Sequence, residues 1–299
     1  MHFDTLYIVG NGFDLHHGIP SSYKAFRDYV LSIDRSIHRD VEDYLSIDED
    51  WSDLEASLAN FDVDLVAENL GHFMASYGAD DWSDSGHHDF QFEVEGLVER
   101  LSSGLRARFA DWIRSLDIPT PATATVRLQH LDPAARFFNF NYTSTLTSLY
   151  GVPEHRILYI HGSAARGDDL VLGHAWNPSS RSALNESVDP EMEDTRLMEA
   201  NDLMDDYFSA TFKRSDEIIA RYQPSLQSLS NISQVIVLGH GLAEVDAAYF
   251  RALLSQPSVY QAQWHVACRA SDDQSWKRSR LVDLGVNPSS AHCILWDAL

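Results

Sequence analysis

The chain is poor in cysteine and in basic residues, and it has no long apolar run. Two cysteines in 299 residues, Cys268 and Cys293, are too few for a disulfide framework and cannot build a Cys-x-x-Cys zinc site. Each lies in a strand-like run, where a cysteine ordinarily serves as a buried apolar residue. Lysine and arginine number 22 against 45 acidic residues, for a formal charge of −23. A surface of that sign repels phosphate backbones, so nucleic acid is disfavoured as a partner. No apolar stretch comes near the roughly 18 residues of a membrane helix, and the first residues lack the basic-then-apolar pattern of a signal peptide. The expectation is a soluble, cytoplasmic protein that does not engage a membrane. Also missing are Gly-x-Ser-x-Gly, Walker A and His-x-x-x-His motifs. The paired histidines His16-His17 and His87-His88 are neighbours in sequence and poorly placed to share a metal, so no metal is expected.

What is present is an ordinary apolar content of 44% and a set of short apolar runs. Strand-like runs occur at Leu6–Val9, Phe137–Phe140, Ile157–Ile160, Leu170–Leu172, Val235–Leu238, Trp264–Ala267 and Cys293–Trp296. Most are bounded by Gly, Pro, Asn or Asp, and several alternate with helical patterns. This predicts an α/β fold with a Rossmann-like, doubly wound, mostly parallel sheet. Between Tyr23 and Asp117 the apolar spacing is helical throughout. Residues 34–117 hold 21 acids and 6 bases, a net of −15, so most of the charge belongs to this acidic all-helical insert. The expected organisation is a nucleotide-binding core of residues 1–25 plus 118–299 and a helical insert of 26–117 packed on or over it. A second helical region spans about 189–230, and Asp80–Asp89 reads as a loop. A homo-oligomer is the default assembly.

Four segments carry candidate chemistry. The first strand ends in Gly10-Asn11-Gly12-Phe13-Asp14, where glycines permit a sharp turn and a close ligand approach, and a following helix start attracts phosphate. It is a partial dinucleotide fingerprint, because Leu15 stands where the third glycine belongs. Phe140-Asn141-Tyr142-Thr143 ends a second strand in polar residues, at the edge where open α/β sheets bind ligands. Thr143 also suits an N-cap, and Asn141 does so less well. Tyr159-Ile160-His161-Gly162 repeats that layout with a histidine able to act as a base near neutral pH, or simply to bond a neighbouring carbonyl. Gly239-His240-Gly241 is a second strand-to-glycine turn. Asp246 follows it, either as an N-cap or as a contact for a ribose hydroxyl. Ser52 and Glu55, three apart before an apolar stretch, read as a capping box.

Taken together, Gly10–Leu15, Tyr23 with Phe26, Trp51–Glu55, Phe138–Thr143, His161-Gly162, Leu172-Gly173-His174, Gly239–Leu242 and Asp246–Phe250 resemble the AbiH family of bacteriophage abortive-infection proteins. That family is in turn similar, more distantly, to the sirtuin-like superfamily. The resemblance implies antiviral defence, a phage-encoded trigger as a partner, and a site for NAD or a related nucleotide. It implies Asn141 and His161 as catalytic residues of an NAD glycohydrolase-like hydrolase. Gly10, Asn11, Gly12, Phe13, Asp14, Thr143, Gly162, Gly239, His240 and Asp246 would bind the nucleotide. Two positions depart from the sirtuin pattern: Thr143 stands where an aspartate contacts the nicotinamide amide, and Asn11 replaces a small residue between the glycines. A nucleotide-sensing module without turnover is the alternative, and an RNA nuclease a more distant one.

Overall fold

A computed structural model describes residues 5–74, 88–187, 189, 194–269 and 274–299. Its centre is one six-stranded parallel sheet of β1 (Thr5–Val9), β2 (Arg136–Asn139), β3 (Ile157–Tyr159), β4 (Gln234–Leu238), β5 (Gln263–Cys268) and β6 (Ala291–Leu295). The order is β3-β2-β1-β4-β5-β6, the doubly wound arrangement expected from the sequence. Strands that are buried on both faces read as continuous apolar runs, because helices cover both sides of a parallel sheet. β1 shows this directly: Leu6, Tyr7, Ile8 and Val9 are all buried. Leu6 and Ile8 join Phe138, Val235, Tyr249 and Phe250 on one face, while Tyr7 and Val9 join Phe13, Phe137, Leu149 and Tyr150 on the other.

The chain divides into two compact units. The sheet unit comprises Met1–Ser22, Trp112–Val171 and Arg214–Leu299. The helical unit comprises Tyr23–Asp111 and Leu172–Lys213. The second helical region of the sequence is therefore shared, with helix Thr195–Thr211 in the helical unit and helix Ser215–Gln227 in the sheet unit. No helix among the described residues is long and apolar enough to cross a membrane. The loop expected at Asp80–Asp89 lies mostly outside the described residues, and so does His87; Asp89 opens helix Asp89–Glu99. Both cysteines are free and lie in strands, Cys268 buried in β5 and Cys293 half-buried in β6.

Two local expectations are corrected. Leu170–Leu172 is not a strand. Its backbone finds loop partners instead: Val171 N–H donates to the His161 carbonyl at 2.9 Å, and the Val171 carbonyl accepts from Tyr142 Oη at 2.8 Å. Ser52 and Glu55 form no capping box. Asp53 is the N-cap of a four-residue helix, Leu54–Ser57, and Ser52 Oγ donates to Asp48. Glu55 instead accepts from Tyr23 Oη at 2.6 Å and pairs with Lys213, whose side chain is fully buried. This ion pair joins the two chain segments of the helical unit.

The turns after β1 and β4 pack backbone on backbone. Gly12 N–H donates to the Gly239 carbonyl at 2.7 Å. Gly239 has φ +67°, and a Cβ there would strike Phe13 N and Gly12 C. Gly239→Ala combines left-handed strain with a backbone clash and is expected to destabilise the sheet unit by about 3 kcal/mol or more. Gly151 has φ +65° with open space around it, so Gly151→Ala is expected to lose only about 1–2 kcal/mol by chemical denaturation. In the helical unit, Glu55→Leu removes the carboxylate paired with a buried ammonium and should lose about 3–5 kcal/mol. The double variant Glu55→Leu/Lys213→Met should recover most of that loss in the same denaturation experiment.

Candidate functional site

Parallel pairing brings the polar strand ends together. Asn139 is paired with Tyr159, so Asn141 and His161 stand at equivalent places, each two residues beyond the paired ends of neighbouring strands β2 and β3. β1 and β4 pair through Val9 and Leu238, which sets Gly10–Asp14 beside Gly239–Gly241. The chain leaves β1 toward β2 on one side and continues from β4 toward β5 on the other, so the carboxyl ends of β1 and β4 form the topological switch point.

The glycine turn serves first to pack loop on loop. A Cβ on Gly10 would lie 2.6 Å from His240 Cα, and one on Gly12 would lie 2.7 Å from the Gly239 carbonyl oxygen. Three of the turn's amides have internal acceptors: Gly10 N–H to the Leu238 carbonyl, Gly12 N–H to the Gly239 carbonyl and Phe13 N–H to the Gly10 carbonyl. Asn11 ties the turn to the following loop, donating to the Ser21 carbonyl at 2.7 Å and accepting from Ser21 Oγ at 2.5 Å. Phe13 is fully buried, packed against His17 and Tyr150. Gly162, with φ +83°, sits where a Cβ would meet the Asp169 carbonyl oxygen at 2.8 Å.

Two buried polar networks flank this turn. In the first, Asp14 accepts from Thr143 Oγ1 and Thr145 Oγ1, both at 2.7 Å. Thr143 is thus not a cap: helix Thr145–Tyr150 has Ser144 at its N-cap, and the Thr143 hydroxyl holds the first turn's carboxylate. Asn141 also hydrogen-bonds Asp14 through its side chain. The strand end itself is shaped by Asn139, which donates to the Asn141 carbonyl at 3.0 Å and accepts from its amide at 3.3 Å.

In the second network Asp246 stands between two imidazoles. Its Oδ1 lies 3.6 Å from His161 Nε2 and its Oδ2 lies 3.4 Å from His240 Nε2. Asp246 occupies the N-cap position of helix Ala247–Leu254 but makes no side-chain cap bond, because its carboxylate turns to the histidines. The Phe140 ring packs edge-on against both, 5.3 Å from His161 and 4.3 Å from His240. Tyr142 stacks over His161 at 6.0 Å and Tyr249 meets it edge-on at 5.5 Å. Only 2% of His161 and 8% of Asp246 are exposed, so a charge here is governed by these neighbours rather than by bulk water.

Sequence reasoning passed over Asn139, Thr145, Tyr142 and Tyr249 as site residues. Tyr249 carried a usable signal, lying three residues after Asp246 on the same helical face. Thr145 carried none, since its partner Asp14 is 131 residues away. The Leu172-Gly173-His174 segment lies in the helical unit, where His174 is buried and bonds the Phe208 carbonyl at 3.2 Å. Its pKa is lowered by that burial.

Burial raises the Asp14 pKa from 3.8 to about 6, opposed by the bonds from Thr143, Thr145 and Asn141. The folded state therefore holds a proton that the unfolded chain has released between pH 4 and 6. Stability contributed by protonated Asp14 is fully present below pH 4 and is lost as pH rises through 6. Relative to Asp14→Asn, the wild type is expected to lose on the order of 3 kcal/mol between pH 4 and 7, measured by denaturant titration at each pH.

The chain matches no curated protein and no solved structure. The family described as Bacteriophage abortive infection AbiH matches residues 6–268, from the first residues of β1 to the last of β5. This chain therefore belongs to the AbiH family of bacteriophage abortive-infection proteins.

Proposed function

We propose that this AbiH protein acts in phage defence by binding NAD or a related nucleotide at the carboxyl edge of its sheet and hydrolysing the nicotinamide–ribose bond. The observation that carries the reading is the alignment of Asn141 and His161 at equivalent positions on adjacent parallel strands, beside the switch point. A site there is where doubly wound sheets take nucleotides. The similarity of the Asn141 and His161-Gly162 segments to sirtuin-like proteins supports NAD as the nucleotide.

The chemistry is a hydrolysis. The bond from ribose C1′ to the pyridinium nitrogen breaks and its electron pair leaves with nicotinamide, which becomes neutral. Positive charge develops on the ribose, and water attacks C1′. The proton from that water passes to His161 and then to solvent, leaving ADP-ribose. Asn141 orients the ribose or the water. One of its amide hydrogens serves Asp14, while its carbonyl oxygen and second amide hydrogen provide the capacity for a ligand. Positioning of this kind contributes several kcal/mol to a barrier. Asp14 then acts by holding Asn141 and Thr143 in place. No group of His, Cys, Asp or Glu among the described residues is arranged to hold a metal ion, and the scheme uses none.

The engagement of Thr143 with Asp14 favours a second reading, a sensor that binds the nucleotide without turning it over, since Thr143 cannot supply the aspartate that contacts nicotinamide in sirtuin-like proteins. Incubation with NAD, with nicotinamide followed by chromatography, separates the two. The hydrolase reading expects product from wild type and at least a 100-fold loss in His161→Ala and in Asn141→Ala. Thermal stabilisation by NAD without product would move the assignment to the sensor, and activity retained by both variants would remove these residues from the chemistry.

A further inference from the structure

We infer that Leu242, His240 and Asp246 form a positioning relay that fixes the tautomer and orientation of His161, so that Asp246 and His240 belong to the proton-handling machinery rather than to nucleotide binding. This deepens the hydrolase reading and rests on it for the identity of the reaction, though the relay is measurable without any substrate.

The relay starts from backbone geometry. Leu242 has φ +53°, one of two non-glycine residues with positive φ among the described residues. In that conformation its N–H donates to His240 Nδ1 at 2.9 Å. An imidazole nitrogen that accepts a hydrogen bond carries no proton, so neutral His240 bears its proton on Nε2. That nitrogen faces Asp246 Oδ2 at 3.4 Å. His240 therefore turns its protonated nitrogen toward a buried carboxylate. The remaining oxygen, Oδ1, faces His161 Nε2 at 3.6 Å. A carboxylate in this place draws the His161 proton to Nε2, makes Nδ1 the basic atom, and stabilises the imidazolium formed when Nδ1 takes a proton.

The surroundings hold the chain of contacts in place. Arg280 donates to the Leu242 carbonyl at 2.9 Å and pairs with Glu244 at 3.6 Å, which ties the turn to helix Gln274–Asp283. Phe140 wedges against both rings. Among the described residues, titratable groups that face His161 include Asp246 from the helix start, Tyr142 from the loop after β2 and Tyr249 from helix Ala247–Leu254. Of these, only Asp246 is a carboxyl group. No other carboxylate lies within ion-pair distance of His240 among the described residues.

The test is a histidine titration by imidazole 15N NMR on the full-length protein, in wild type and in the near-isosteric variants Asp246→Asn and His240→Gln, with fold checked by thermal melting. The relay expects His240 protonated at Nε2 in the wild type. It expects the His161 pKa to fall by one unit or more in Asp246→Asn, and by a smaller amount in His240→Gln, where the carboxylate remains but loses a donor. If nicotinamide release is observed, kcat should fall at least 100-fold in Asp246→Asn with KM within about threefold, and its acid limb should move to lower pH. His240 protonated at Nδ1, or a His161 titration unmoved in folded Asp246→Asn, overturns the relay. If the NMR results hold while wild type releases no nicotinamide, the relay stands and only the hydrolase reading falls.

Discussion

The close approach of two backbones, Gly12 against Gly239, is the constraint on which the rest of this site depends. The Gly12 N–H···O=C bond to Gly239 at 2.7 Å joins the turns that follow β1 and β4, neighbours in the sheet but more than 200 residues apart in sequence. No side chain fits at the contact. Because the turns touch, His240 comes to lie against Gly10, and its ring is committed to the crevice above β1 and β2 rather than to solvent. The same contact sets the start of helix Asn11–His16, and hence the place where Asp14 meets Thr143 and Thr145. Glycines commonly read as a phosphate cradle serve here, before any ligand arrives, as the joint between two halves of a doubly wound sheet.

From that joint two buried carboxylates extend in different directions, and they meet the problem of burial differently. Asp14 is surrounded by neutral donors. Two threonine hydroxyls and the Asn141 amide stabilise its charge only in part, and its pKa stays raised at about 6. Asp246 is placed between two imidazoles, groups that can themselves become cations. A carboxylate among neutral donors organises geometry; one between histidines can respond to proton movement. In the proposed scheme this division gives Asp14 the role of holding the loop after β2 and Asp246 that of positioning His161. Asn141 touches the first network and stands level with His161 of the second, which is why the proposed reaction centres on that pair.

Much of the sheet was legible in the sequence for a simple reason. Strands covered on both faces show unbroken apolar runs, and β1 and β4 do so after their first residue. The same rule misread Leu170–Leu172, where Leu170 and Leu172 are buried but the backbone partners of Val171 are a loop carbonyl and a tyrosine hydroxyl. Apolar periodicity reports burial, not ladder pairing. Local capping rules misread Thr143, Asp246 and Glu55 for a related reason. Each residue type and spacing suits a cap, yet each side chain is claimed by a partner outside its own helix: Thr143 by Asp14, Asp246 by His161 and His240, and Glu55 by Lys213. Spacing carries no information about contacts over 129 residues or more. The strand-end histidine and asparagine were legible because parallel register places successive strand ends side by side without needing any long-range pairing to be known.

Trp51 and Leu242, the two non-glycine residues in the left-handed region among the described residues, show how a fold can hold a conformation that local preference opposes. Glycine would adopt φ near +55° freely, whereas a larger residue there costs on the order of 1–3 kcal/mol. Both side chains are nonetheless almost completely buried, Trp51 at 0% and Leu242 at 1% exposure. Trp51 also donates from Nε1 to Glu42 at 2.8 Å, and Leu242 packs in the core around Phe140 and Phe250. At each position two demands conflict: the backbone needs the geometry of glycine, and the interior needs the volume of a large apolar side chain. Burying a side chain of that size contributes roughly 1.5–3 kcal/mol, enough to offset the strain. A glycine at 242 would relax the backbone but would leave a cavity beside Phe140 and free the turn to move. The strained leucine instead holds its N–H on His240 Nδ1, so the packing of the core selects the tautomer of a histidine at the site.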